Sequence, residues 1–198
     1  MAIGKLPPSI IDYARYERWV HASHALDAML PALVPVVQGI GRIDAELCAE
    51  DAAYLARRDA LVGNAAKVQF IVNEGAGLTD RLNLSALWLF GAYEAVRTLD
   101  YAIRHKRVAA TPPIAARVNA VKLNFNRPRS LLAKHEPADR HKKTDSAPAQ
   151  RHFHRGSLAW KVAPRTIVSR RALADSFLKL LERIAAEGKR ARAKAQNR

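Results

Sequence analysis

Between Asn83 and Arg107 the sequence reads as a helix that is apolar in nearly every direction. Leu84, Leu87, Trp88, Leu89, Phe90, Tyr93 and Val96 leave its first half almost no polar face, and such a helix is stable only where other elements surround it. The segment therefore predicts the centre of a helical bundle, with Leu87, Trp88 and Ala95 turned to the core. Composition points the same way: alanine is abundant, glycine is sparse at 9 residues, and aromatics make up only 7% of the chain, a balance that favours helix. A chain of 198 residues with 49% hydrophobic content is long and apolar enough to bury a real core.

The flanking segments extend this reading. Pro7, Pro8 and Ser9 predict a helix start, with Ser9 as cap and the helix running to Leu30. Pro31 and Pro35 predict a kinked or broken continuation as far as Gly39 and Gly41. From Asp44 to about Glu74 the spacing of Leu47, Tyr54, Leu61, Ala65, Val68 and Val72 predicts one long helix or two collinear pieces, with Gly63-Asn64 as the break. Asp51 and Arg58 interrupt that seam, and Gly75 and Gly77 end it. Ile114, Val118, Val121, Phe125, Pro128 and Leu132 step by 4, 3, 4, 3 and 4, which predicts a single helix carried across Pro128 and closed by Pro137. Residues 137–157 lack periodicity and read as a long basic loop. Leu158, Trp160 and Val162 alternate as a short extended piece, and Ser169 caps a last amphipathic helix that gives way to a basic tail beyond Gly188.

The expected fold is all-α: a bundle of five or six helices with a short extended segment near Trp160 and a basic C-terminal helix or tail. Residues 1–136 form the helical body, 137–157 the basic loop, and 158–198 the extended segment, the amphipathic helix and the tail.

Charge divides the chain sharply. Residues 1–110 hold 12 Lys+Arg and 12 Asp+Glu, whereas residues 111–198 hold 21 Lys+Arg and 6 Asp+Glu, so the whole formal charge of +15 lies in the second part. Such a one-signed field repels itself, and a polyanion is its usual complement. Nucleic acid is the expected partner, through Arg127, Lys134, Arg140, Lys142, Lys143, Arg151, Arg155, Arg170 and Arg171, with Phe153 among them as a stacking platform for an unpaired base. Anionic membrane fits less well, because no strongly apolar face accompanies the basic tail. No apolar run reaches the length of a membrane span, and the single Cys48 allows no internal disulfide, so a cytoplasmic location is expected.

Little else in the sequence carries chemistry. His21 and His24 lie three apart and His152 and His154 two apart, but neither pair has the further ligands a zinc site requires. Phosphate-binding glycine loops, dinucleotide fingerprints and nucleophile elbows are absent from the sequence, and Cys48 reads as a small core residue. No metal and no cofactor is expected. One constellation remains. Arg129 and His135 are six apart on the helix predicted to follow Pro128, about 60° to either side of its apolar stripe. An imidazole can take the proton of a ribose 2′-OH while a guanidinium stabilises charge on the phosphoryl oxygens. In the plainer reading both side chains border the stripe with their polar heads in water.

The segment Arg129-Ser-Leu-Leu-Ala-Lys-His135 resembles the signature of the HEPN superfamily, helical-bundle proteins of prokaryotic defence and toxin systems. There an Arg is followed, after four to six residues, by a His on a late helix. The resemblance implies a metal-independent endoribonuclease with Arg129 and His135 as its catalytic pair, and a homodimer in which two such motifs build one site. The family commonly places Asn, Asp or His directly after the Arg, where this chain has Ser130. Two functions follow: an RNA-favouring nucleic-acid-binding protein with ribonuclease activity of this type, or a non-catalytic interaction or assembly protein that binds nucleic acid through its basic C-terminal part.

Overall fold

The computed structural model describes residues 10–154 and 156–196. Among them the chain is mostly helical, with a three-stranded antiparallel sheet set before the last helix. The fold is therefore not strictly all-α.

Helix α1 spans Tyr13–Ser23, and Asp12 caps it by accepting the Arg15 N–H at 3.0 Å. The start expected at Ser9 lies outside the described residues. After a 3-10 turn at His24–Leu26, helix α2 runs unbroken over Leu33–Asp59. Pro35 does not break it, because proline is tolerated in a first turn where its missing N–H has no partner to lose. Gly41 is where α1 presses on α2: a Cβ there would come within 2.3 Å of the Trp19 Cβ. Gly63, at φ +86°, breaks the seam where the sequence suggests, and helix α3 follows over Asn64–Asn73.

Helix α4 extends over Gly75–Arg104, so Gly75 and Gly77 begin it instead of separating two helices. It is central, packing against α2 and against helix α5, which spans Pro112–Ala133. Trp88, Leu89, Ala92, Ala95, Val96 and Leu99 are buried, but Leu87 is 64% exposed. Leu87 falls in line with exposed Gly91, Thr98 and Tyr101 and half-exposed Glu94, spaced by four and three residues along the most open flank of the helix. The all-round apolar reading thus fails at that flank. Helix α5 passes through Pro128 without ending, as its unbroken periodicity predicts.

The sequence loop 137–157 contains a strand. Strands β1 (Gln150–His154), β2 (Ser157–Ala163) and β3 (Thr166–Ser169) form a meander in the order β1-β2-β3. The β1–β2 connection is two residues long, with Gly156 at φ +77° supplying a backbone conformation that side chains disfavour. Helix α6 spans Arg170–Gln196 and is capped as expected, the Ser169 hydroxyl accepting the Ala172 N–H at 3.3 Å.

One core joins the helical body and the C-terminal part. Trp19 meets Phe177 edge-on at 5.5 Å, Phe177 meets Phe125 at 6.2 Å, and Phe125 lies 5.8 Å from Trp88. Trp160 and Val162 of β2 and Leu178 and Leu181 of α6 complete it.

Candidate nucleic-acid interface

Arg170 and Arg171, adjacent in sequence, have opposite fates. Arg171 is exposed, whereas Arg170 is completely buried and belongs to the core. Its guanidinium donates to Asp44 at 2.7 Å and to Asp51 at 3.0 Å, and both carboxylates are themselves buried. Asp44 also accepts from Arg15 and, at 2.9 Å, from the Trp19 indole, while Asp51 accepts the Leu158 N–H at 3.3 Å. Burial works against the Arg170 charge, but the carboxylates, Asp44 foremost, outweigh it and hold the guanidinium firmly protonated. Burial likewise pushes the Cys48 thiol up, so that it stays an unreactive core group. The network pins α1, α2, β2 and α6 together. Arg170 is therefore a structural residue and not a nucleic-acid contact. The signal for it lies in α2, where Asp44 and Asp51 stand seven residues apart on one face of an otherwise apolar seam.

Three more of the expected contacts are engaged within the protein. Arg127 makes a paired hydrogen bond to buried Asp145, at 2.9 and 2.7 Å. The Arg127 bonds and that of Thr144 overcome burial and hold the Asp145 carboxyl below its ordinary range. Lys142 pairs with Asp139 at 2.9 Å on the surface. Phe153 is half-buried, 5.7 Å from the Tyr54 ring, and so leans on α2 instead of standing free. Arg155 lies outside the described residues.

Lys134, Arg140, Lys143, Arg151 and Arg171 are exposed and make no ion pair among the described residues. Strand register adds cations that sequence reading passed over. Paired residues share a face of the sheet. Trp160 sits opposite Arg151 and Leu158 opposite Phe153; the two β2 side chains are buried against the body, while on the edge strand Phe153 is half-buried and Arg151 exposed. Lys161 opposite Gln150, Ala159 opposite His152 and Ser157 opposite His154 turn the other way. On that side Ser157 and Ala159 are fully buried, so the cations sit at the rim: exposed His152, half-buried His154 and Lys161, and exposed Arg165 in the next turn. A shallow cleft brings His154 to Arg171 at the start of α6, with Asp175, the partner of Arg15, on the same lining. The preceding loop is tied to the same sheet by the Ser146 N–H, which donates to the Val162 carbonyl at 2.9 Å. Alternating polar residues at a sheet edge, interrupted by Arg155-Gly156, were the available sign of this face.

The Arg129–His135 pair does not share a helix. Helix α5 ends at Ala133, and His135 lies beyond it, exposed, in a left-handed conformation at φ 55°. The six-residue spacing thus loses the helical geometry that set the two on the margins of one stripe. Arg129 stays on α5 and is occupied: its guanidinium covers the Tyr93 ring at 4.3 Å and lies 3.9 Å from Glu94.

No protein-family model, curated protein or solved structure matches this chain. Among the described residues no helix is long and apolar enough to cross a membrane, and no three His, Cys, Asp or Glu side chains cluster as metal ligands would.

Proposed function

We propose that the protein binds nucleic acid, with RNA favoured, through the surface formed by the segment after α5, the exposed rim of the meander and the first turn of α6. The observation that carries this reading is the distribution of unneutralised charge. Lys134, Arg140, Lys143, Lys161, Arg165 and Arg171 have no carboxylate partner among the described residues, and His152 and His154 add to the same sheet. Carboxylates are few beside these cations, namely Glu136, Asp139 and, next to Arg171, Asp175, whereas a surface needing only solubility would mix its signs evenly. The preference for RNA rests on the resemblance of the Arg129–His135 segment to the HEPN signature. Cleavage forms no part of the proposal, since Arg129 is held by Tyr93 and Glu94 while His135 lies past the helix end.

The test is fluorescence anisotropy with a labelled single-stranded RNA at low salt, in the presence of EDTA. The wild-type protein should bind and leave the RNA intact. Changing Lys134, Arg140, Lys143 and Arg171 together to Gln should weaken binding at least about tenfold, since each removes a phosphate contact. Unchanged affinity in that variant would overturn the placement. RNA cut by the wild type but not by His135→Ala would replace a binding protein with an enzyme.

A further inference from the structure

We infer that the groove between α2, α4 and β1 takes up one unpaired base of the bound strand; this rests on the nucleic-acid reading and names the substrate form. The groove encloses about 330 Å³, at the small end of sites that hold compact organic ligands. Its floor is apolar, formed by Leu78, Leu82 and Leu158. Its wall is aromatic and braced from behind. Tyr54 is only 4% exposed, held between the Arg81 guanidinium at 4.6 Å and the Phe70 ring at 5.4 Å, and Phe153 rests against it at 5.7 Å. Phe153 thus keeps partial exposure on a ring whose position is fixed, as a stacking platform requires.

Two arginines border the same opening. Arg151 is exposed with no ion pair among the described residues, and Arg58 is paired only with its neighbour Asp59, at the surface. Among the described residues no carboxylate lines the groove. An apolar floor, a fixed aromatic ring and cations at the mouth match a flat base flanked by phosphates. A purely apolar segment would leave both arginines unanswered, and a duplex keeps its bases paired and stacked, out of reach of the floor. The charge on β1 and the aromatic residue beside it, which the sequence presents together, thereby acquire one function.

The experiment compares a uridine-only RNA strand with an RNA duplex of equal length, by anisotropy at low salt. Phe153→Leu, which keeps apolar bulk but removes the π-face, should lower single-strand affinity about tenfold, equivalent to about 1.4 kcal/mol, and leave duplex affinity within about twofold. Leu78→Trp should act alike by filling the floor, and it carries the test if Phe153→Leu fails to fold by circular dichroism. Single-strand affinity unchanged in both variants, with binding still lost on neutralising Lys134, Arg140, Lys143 and Arg171, would overturn the groove and leave the basic surface standing. Failure of the wild type to bind either RNA would overturn both.

Discussion

Replacing Arg170 by Met separates a core arginine from a surface one more sharply than any other single change. In the native protein its guanidinium bridges Asp44 and Asp51 with both carboxylates and the arginine fully buried. Methionine fills much of the volume but returns no donor. Asp44 keeps Arg15 and Trp19, whereas Asp51 is left with the Leu158 N–H alone. Removing one partner of a buried ion pair leaves an uncompensated charge, which costs about 3–5 kcal/mol. For a domain of this size that corresponds to a fall in Tm on the order of 6–20 °C. Arg171→Met, one residue along, should stay within about 0.5 kcal/mol of wild type, because its side chain is exposed and outside any described ion pair. Urea denaturation followed by circular dichroism measures both, with the slope checked for constancy so that midpoints report stability. If Arg170→Met loses less than about 1 kcal/mol, or the two variants lose equal amounts, the buried network does not hold α6 to α2 as described. The same pair reverses in a binding assay: Arg171→Met weakens RNA affinity, while any folded Arg170→Met retains it.

Other perturbations probe other parts of the fold. Trp88→Ala removes a core ring and its indole bond to the Ile40 carbonyl at 3.1 Å, and should lower stability by about 3–5 kcal/mol in the same denaturation assay. Asp145 has a folded pKa below its ordinary value because Arg127 and Thr144 bond its carboxylate, so its stabilisation is fully present above the ordinary carboxylate pKa of about 4 and is lost as pH falls through the lowered one. Asp145→Asn should therefore be less stable than wild type at neutral pH, with the difference shrinking in acid; a constant difference across that range would show that the pair contributes no linkage.

The legible and illegible parts of the structure differ in what determines them. The phase of the apolar stripe through Pro128 and the Ser169 cap are local, and both are found where periodicity and capping chemistry place them. Arg170 and Arg171 are indistinguishable locally, since each is a basic residue in a first turn. Only the docking of α6 on α2, which turns one inward to Asp44 and Asp51, separates them. Leu87 is apolar like its neighbours, and its exposure follows from which flank of α4 the other helices leave open. His135 escaped notice as a helix end because the left-handed residue after α5 is not glycine, the usual marker of such a stop. Strand β1 was hidden because it is an edge strand with polar residues on both sides.

The most direct measurement of the central claim is the salt dependence of RNA affinity. If the unpaired cations Lys134, Arg140, Lys143, Arg151, Lys161, Arg165 and Arg171 each neutralise a phosphate on a single strand, a plot of log K against log salt should be linear with a slope of about −5. The variant lacking Lys134, Arg140, Lys143 and Arg171 should flatten it to about −2. A slope near zero in the wild type, or no binding at the lowest salt, would contradict a nucleic-acid role for the basic surface.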